Sequence, residues 1–297
     1  MAIKTGVNTD WLDISKSMPI ARDGHVKRKF PDVPYGPESL QKMDILLPDE
    51  GDGPFPLIID VHGGGMVAGD KHDFHMYPMF YALQRGFAAA CINYRLSPAV
   101  KYPTQLHDMK QAILFLYEHA AEYKIDRDNF FLWGTSAGGN LVLMGGLKQG
   151  LELPQALKAA DRVPIRAVAA LCPEVDMSRL GKGFTLTQKV LMWLATLGYF
   201  KKVLGLRKPT LEDIAKTNPM TYLHRGLAPL YLQHGDRDPG VPVEQSLEYA
   251  KEARKLLPAE DLVMDVIRGA AHAGDGPEFL KEEHVAPILD FFQEHIV

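Results

Sequence analysis

Three short runs of the sequence set reactive side chains among glycines. Gly134-Thr135-Ser136-Ala137-Gly138 follows the apolar run Phe130–Trp133 and leads into a helical pattern. A serine at so sharp a strand-to-helix turn sits in a strained backbone conformation, and only glycines on either side leave room for the close approach. Its chemistry would be nucleophilic attack on a carbonyl carbon; the plain alternative is a glycine-rich turn with an idle serine. His62-Gly63-Gly64-Gly65 follows the apolar run Leu57–Val61. Attack on a carbonyl creates an oxyanion, which needs N–H donors fixed in advance. Gly64 and Gly65 can turn their N–H groups toward it, and Ala137, just past the serine at a helix start, supplies the remaining donor. A phosphate-binding loop would need a G-x-G-x-x-G or G-x-x-x-x-G-K-S/T spacing, which this run lacks.

A serine hydroxyl is a weak nucleophile at neutral pH, so it needs a base, and the base needs an orienting acid. Two later loops fall where these belong. His234-Gly235-Asp236-Arg237-Asp238-Pro239 follows Leu230–Gln233, and Gly269-Ala270-Ala271-His272-Ala273-Gly274 follows Val263–Ile267. Of the 11 histidines, His272 is the expected base. His284 and His295 lie inside the last helical pattern, and His62 reads as a brace for its own glycine loop. His72-Asp73-Phe74-His75 lacks a third converging ligand, so no metal site is expected. Asp238 is the expected acid. Asp236 reads as a turn residue capping backbone N–H groups, and Asp176 is the third candidate.

Positioning these residues requires a sheet whose strands end on one side. Met43–Leu47, Leu57–Val61, Phe87–Ile92, Phe130–Trp133, Val168–Leu171, Leu230–Gln233 and Val263–Ile267 read as strands alternating with helical patterns, the mark of a mainly parallel sheet covered on both faces. In Gln105–Tyr123, the residues Leu106, Met109, Ile113, Leu116 and Ala120 share one helical face. Gly139–Leu147, Val243–Leu256 and Glu278–Ile296 read as further helices. The first 40 residues show little sheet pattern. Residues 173–229 break the rhythm, and their apolar stretch Phe184–Leu204 is greasy nearly all round. Two readings of that stretch stay open, a cap over the strand ends or an additional core helix.

Composition bounds the rest. The chain has 297 residues, 46% hydrophobic and 24% charged, which excludes disorder and fibrous classes. A net charge of −4 argues against a nucleic-acid partner. Two cysteines, Cys91 and Cys172, make no disulfide framework and read as buried strand thiols in a reducing compartment. The longest apolar run, Val190–Phe200, falls far short of the ~20 residues that span a bilayer. Met1–Ile20 lacks the basic start and apolar block of a secretory signal, so the expected location is the cytoplasm.

Taken with Gly69, Lys71, Ile92-Asn93-Tyr94-Arg95-Leu96-Ser97-Pro98 and Gly139, these motifs resemble the α/β-hydrolase carboxylesterases. The resemblance is to the bacterial group named after bifunctional feruloyl and acetyl-xylan esterases and, less closely, to hormone-sensitive-lipase-like esterases. It covers roughly residues 33–172 and 228–296. It implies an α/β-hydrolase fold of about eight mostly parallel strands flanked by helices, in one domain over residues 1–297. A partial helical cap would come from about 173–229, with 1–40 as a further contributor. The family usually has an aromatic residue where this chain has Met66, and glycines where it has Ala271 and Ala273. Met66 and Thr135 are therefore expected at the substrate. Arg95 reads as a structural brace, with Asp108 as its partner.

The expected activity is a cofactor-free serine carboxylesterase with Ser136, His272 and Asp238 as its triad and Gly64, Gly65 and Ala137 holding the oxyanion. Following the resemblance, the substrate would be a small ester of a short acyl group such as acetyl, with xylo-oligosaccharides as one source. The same triad also serves amide hydrolysis, so an arylformamidase or small peptidase is the alternative. A hydrolase-fold binding protein is a more distant one, because all three triad positions are filled. The greasy helix leaves a homodimer interface open as well.

Overall fold

The computed structural model describes residues 21, 23–147, 151, 153–179, 198–224, 226–273 and 277–297. Eight strands form one sheet: β1 (Lys29–Pro34), β2 (Lys42–Leu46), β3 (Phe55–Val61), β4 (Ala88–Ile92), β5 (Ile125–Thr135), β6 (Ile165–Leu171), β7 (Leu230–Gly235) and β8 (Leu262–Ile267), in the order β1-β2-β4-β3-β5-β6-β7-β8. β1 and β2 are antiparallel to their neighbours, and every pairing from β4 across to β8 is parallel.

The strands read as continuous apolar runs because both faces are covered, with alternate residues going to opposite sides. Leu57, Ile59 and Val61 of β3 join one core with the helices Thr104–Glu118, Ala137–Gly145 and Glu244–Ala253, through residues such as Met109, Leu141 and Tyr249. Ile58 of β3, Phe131 and Trp133 of β5 and Cys91 of β4 join the opposite core, closed by the helices Tyr77–Gln84 and Glu282–Glu294.

Two elements depart from the sequence reading. β1 is an edge strand exposed at five of its six positions, with prolines at 31 and 34, so it carries no alternating apolar signal. The helix Tyr77–Gln84, unassigned in sequence, carries Pro78 in its first turn, where a missing N–H costs nothing. Others differ in extent. β5 begins at Ile125, a buried residue followed by the polar Asp126, Arg127 and Asp128, which hide the strand's start before the continuous buried run from Asn129. The last helix begins at Glu282 after a separate turn, Glu278–Leu280.

Most of the stretch Phe184–Leu204 lies outside the described residues, as does Met1–Ile20. The described end is helical at 198–203, with Phe200 and Val203 buried. It docks where the Tyr102 N–H donates to the Val203 carbonyl at 2.9 Å. Among the described residues, no helix is long and apolar enough to cross a membrane.

Candidate active site

Ser136 stands between β5 and the helix Ala137–Gly145 with φ 56° and ψ −119°, a combination that a non-glycine residue holds only under constraint. The constraint is visible on both sides. Its N–H donates to the Leu171 carbonyl at the end of β6 (2.7 Å), and its carbonyl accepts from Asn140 N–H (2.9 Å). A Cβ on Gly138 would stand 2.0 Å from the Val61 carbonyl oxygen, so only glycine lets the helix start approach the end of β3 this closely.

That approach sets the loop His62–Gly65 over the serine. A Cβ on Gly63 would lie 3.3 Å from Ser136 Cβ. Gly64 and Gly65 have φ of 95° and 61°, and a Cβ on Gly64 would strike the Ala68 carbonyl oxygen. Among the described residues, the N–H groups of Gly64, Gly65 and Ala137 find no protein acceptor. His62 braces this loop, as its sequence position predicts: it is buried, its Nδ1 donates to the Gly63 carbonyl at 2.8 Å, and its ring stacks on Tyr94 at 4.3 Å. Tyr94 Oη in turn donates to the His62 carbonyl at 3.1 Å. Arg95 is the expected brace too. Its guanidinium makes a forked pair with buried Asp108, with Nε to Oδ2 at 2.9 Å and Nη2 to Oδ1 at 2.6 Å.

At the ends of β7 and β8, His272 Nδ1 donates to Asp238 Oδ2 at 2.5 Å. Asp238 Oδ1 accepts from Gly240 N–H (2.8 Å) and Val241 N–H (2.7 Å), so the carboxylate is aimed by its own loop. Burial would raise its pKa. The attraction of His272 and the bonds from His234 and His272 outweigh that and hold the carboxyl well below the usual range. The same contact overcomes the desolvation of His272 and raises the basicity of the ring. The two loops meet because Gly235 has no side chain: a Cβ there would stand 2.4 Å from the carbonyls of Ala270 and Ala271. Asp236 behaves as a turn residue, with Oδ1 accepting from Gly269 N–H at 2.6 Å. Asp176 is engaged elsewhere, accepting from Ser178 and Asn218.

Met66 departs from expectation. Its side chain is 1% exposed and turned into the core with Val61 and Ile92, so it offers a ligand no surface. Thr135 is buried at the end of β5.

Three residues near this site, Cys172, Tyr199 and Glu174, carried no sequence signal for it, and a fourth, His234, opens the loop motif that carries Asp238. Cys172 sits just past β6 at φ 47°, and its buried thiol lies against the His272 imidazole. His234, fully buried, donates from Nε2 to the Val241 carbonyl at 2.8 Å and accepts at Nδ1 from Ser246 Oγ at 2.7 Å, with Asp238 Oδ2 3.3 Å from Nε2. Cys172, His234 and Asp238 offer ligand atoms within 4.8 Å of one another. With both nitrogens of His234 engaged and Oδ2 shared with His272, this cluster supports the acid. Tyr199 overhangs the glycine loop, its ring 3.9 Å from where a Gly65 Cβ would be. Glu174 is half-buried beyond β6, and its carboxyl is electrostatically coupled to His272, Asp238, Tyr94 and Tyr199.

A strained serine after β5, a glycine loop after β3 and a His–Asp pair at the ends of β8 and β7 are carried on a mostly parallel sheet with helices on both faces. Together they define an α/β hydrolase. The chain belongs to the BD-FAE family, whose model matches residues 43–252. Among relatives, it is 28% identical over 266 residues to Esterase LipQ of Mycobacterium tuberculosis, covering 88% of this chain and 61% of LipQ. It matches Esterase LipC of the same organism at 23% identity over 250 residues, covering 82% of this chain and 59% of LipC. The chain thus spans about three-fifths of the length of these relatives. Among solved structures, a truncated form of a carbohydrate esterase from gut microbiota superposes with a TM-score of 0.76 at 23% identity, over 93% of this chain and 99% of that one.

Proposed function

We propose that the protein is a serine carboxylesterase in which Ser136 is the nucleophile, His272 the general base and Asp238 the orienting acid. The 2.5 Å bond from His272 Nδ1 to Asp238 Oδ2 carries the reading. An ionised carboxylate can only accept, so it fixes the proton on Nδ1 and leaves Nε2 for the serine hydroxyl. Ser136 Oγ attacks the ester carbonyl as Nε2 takes its proton, and Asp238 stabilises the resulting imidazolium. The oxyanion is received by the N–H groups of Gly64, Gly65 and Ala137, whose lack of a protein acceptor among the described residues favours this role. His272 then passes the proton to the leaving alcohol. A water deprotonated by the same nitrogen releases the acid and restores Ser136.

The substrate in this reading is a small ester with a short acyl group, acetyl first, and acetylated xylo-oligosaccharides are one source. Residues 173–229 act as a partial cap. Tyr199 above Gly65 supports this, as do the bonds from Asn140 Nδ2 to the carbonyls of Glu174 (2.7 Å) and Thr217 (2.9 Å), which tie the segment to the nucleophile's helix. The test is a series of p-nitrophenyl esters from acetate to decanoate with wild type and Ser136→Ala. Hydrolysis confined to the short esters and lost in the variant is expected. A peak at long chains would overturn the short-acyl assignment, and turnover retained in Ser136→Ala would overturn the mechanism.

A further inference from the structure

The loop proposed to receive the oxyanion brings almost no side chains of its own to the site. Gly63, Gly64 and Gly65 have none, and Met66 turns its side chain into the core. The surface above the loop is supplied instead by two apolar groups. Val67 Cγ2 lies 3.8 Å, and a ring carbon of Tyr199 3.9 Å, from the point that a Gly65 Cβ would occupy. Tyr199 is half-buried and packs both on the main core and on the small cluster formed by Met177, Phe200 and Ile214. The helical turn that carries it is pinned. Phe200 and Val203 are buried, the Tyr102 N–H donates to the Val203 carbonyl at 2.9 Å, and Lys101 Nζ donates to the Lys202 carbonyl at 2.8 Å. A ring held from these sides is a fixed wall, and truncating it opens space that its neighbours refill only in part.

We propose that Tyr199 is a specificity-determining residue whose ring closes the acyl side of the site and sets the length of acyl chain that fits. This rests on the esterase reading above. The side follows from the sheet order. Ser136 follows β5, whose neighbours are β3 on one side and β6 on the other. Asp238 and His272 follow β7 and β8, which lie beyond β6, so the alcohol that takes its proton from His272 departs in that direction. The oxyanion turns to the glycine loop after β3. With those two oxygens and Ser136 Oγ placed around the tetrahedral carbon, the fourth substituent is the acyl chain, and it is directed away from His272. That is the side on which Tyr199 stands over Gly65. Because Val67 and the face of an aromatic ring bound it, the chain that fits is a short alkyl group.

The experiment measures kcat/KM on p-nitrophenyl acetate, butyrate, hexanoate and octanoate, and on ethyl, butyl and hexyl acetate, in wild type, Tyr199→Ala, Tyr199→Phe and Tyr199→Trp. A single methylene gained or lost in an apolar pocket changes kcat/KM about 10-fold or more. The hexanoate-to-acetate ratio should therefore rise at least about 10-fold in Tyr199→Ala and stay within about three-fold in Tyr199→Phe, which keeps the ring. Tyr199→Trp, with its larger ring, should lower the butyrate-to-acetate ratio, which keeps the proposal testable if the alanine variant fails to fold. The hexyl-to-ethyl acetate ratio should stay put in every variant. Relaxation of that alcohol series with the acyl series unchanged would overturn the proposal and place Tyr199 on the leaving-group side. A uniform loss on all esters would also overturn it and make the ring a prop for the glycine loop. A wild-type peak at octanoate would remove the wall together with the short-acyl assignment. If wild type cleaves none of these esters, the esterase reading itself fails. If it cleaves them and neither Tyr199→Ala nor Tyr199→Trp moves the acyl profile, this inference alone fails.

Discussion

Replacing Glu174 with glutamine should make the stability of the protein less dependent on pH. Burial beyond β6 lifts the Glu174 carboxyl from an ordinary 4.5 to about 7, the nearby His272 imidazole only partly offsetting the desolvation. Between those two values the unfolded chain has released the proton and the folded protein still holds it. Folding stability at this position therefore declines as pH rises from 4.5, and the decline is complete once pH has passed 7. At 1.36 kcal/mol per pH unit the displacement carries about 3 kcal/mol, and partial exposure of the side chain brings the expected figure to about 2 kcal/mol. Glutamine keeps the shape and removes the titration. Denaturant unfolding of both proteins at about pH 5 and about pH 8.5 measures the effect. Glu174→Gln should gain about 2 kcal/mol on wild type between the two conditions, with His272, Asp238, Tyr94 and Tyr199 common to both proteins. A stability difference that is the same at both pH values would refute the reasoning and place Glu174 in water.

Other consequences follow from the same contacts. Asp238→Asn should lower kcat about 10³–10⁴-fold. Because Asp238 raises the basicity of His272, the acid limb of the residual kcat/KM profile should also move to lower pH, and a limb that stays in place would contradict the pairing. Gly138→Ala forces a Cβ to within 2.0 Å of the Val61 carbonyl, so the variant should unfold at markedly lower denaturant than wild type, by about 3 kcal/mol or more. Arg95→Met leaves Asp108, 0% exposed, with only neutral partners. A loss of about 2 kcal/mol in denaturant unfolding is expected, the exposure of Arg95 tempering the penalty of a fully buried pair.

The strand-to-helix rhythm was legible because both sheet faces are covered and seven of the eight strands carry apolar runs. β1 was not, since an exposed edge strand with two prolines has no apolar periodicity to read. The loops bearing Ser136, Asp238 and His272 could be found from glycine spacing and chain order, and Asp236 and Asp238 part as turn chemistry predicts. What sequence could not supply is which neighbours strand pairing brings in. Leu171 pairs with Thr135 of β5 and with Gln233 of β7, which sets Cys172 and Glu174 beside the two triad loops, yet neither belongs to a motif. Met66 failed for a related reason. The residue after three glycines has φ 59°, which sends its side chain into the core instead of toward the loop it follows.

The central claim is that Ser136 is an activated nucleophile, and covalent labelling tests it most directly. The protein is treated with a fluorophosphonate and the adduct located by peptide mass spectrometry. The account predicts stoichiometric modification of Ser136 at neutral pH, abolished in Ser136→Ala and strongly slowed in His272→Ala. An unlabelled wild-type protein, or an adduct on another residue that persists in Ser136→Ala, would contradict it.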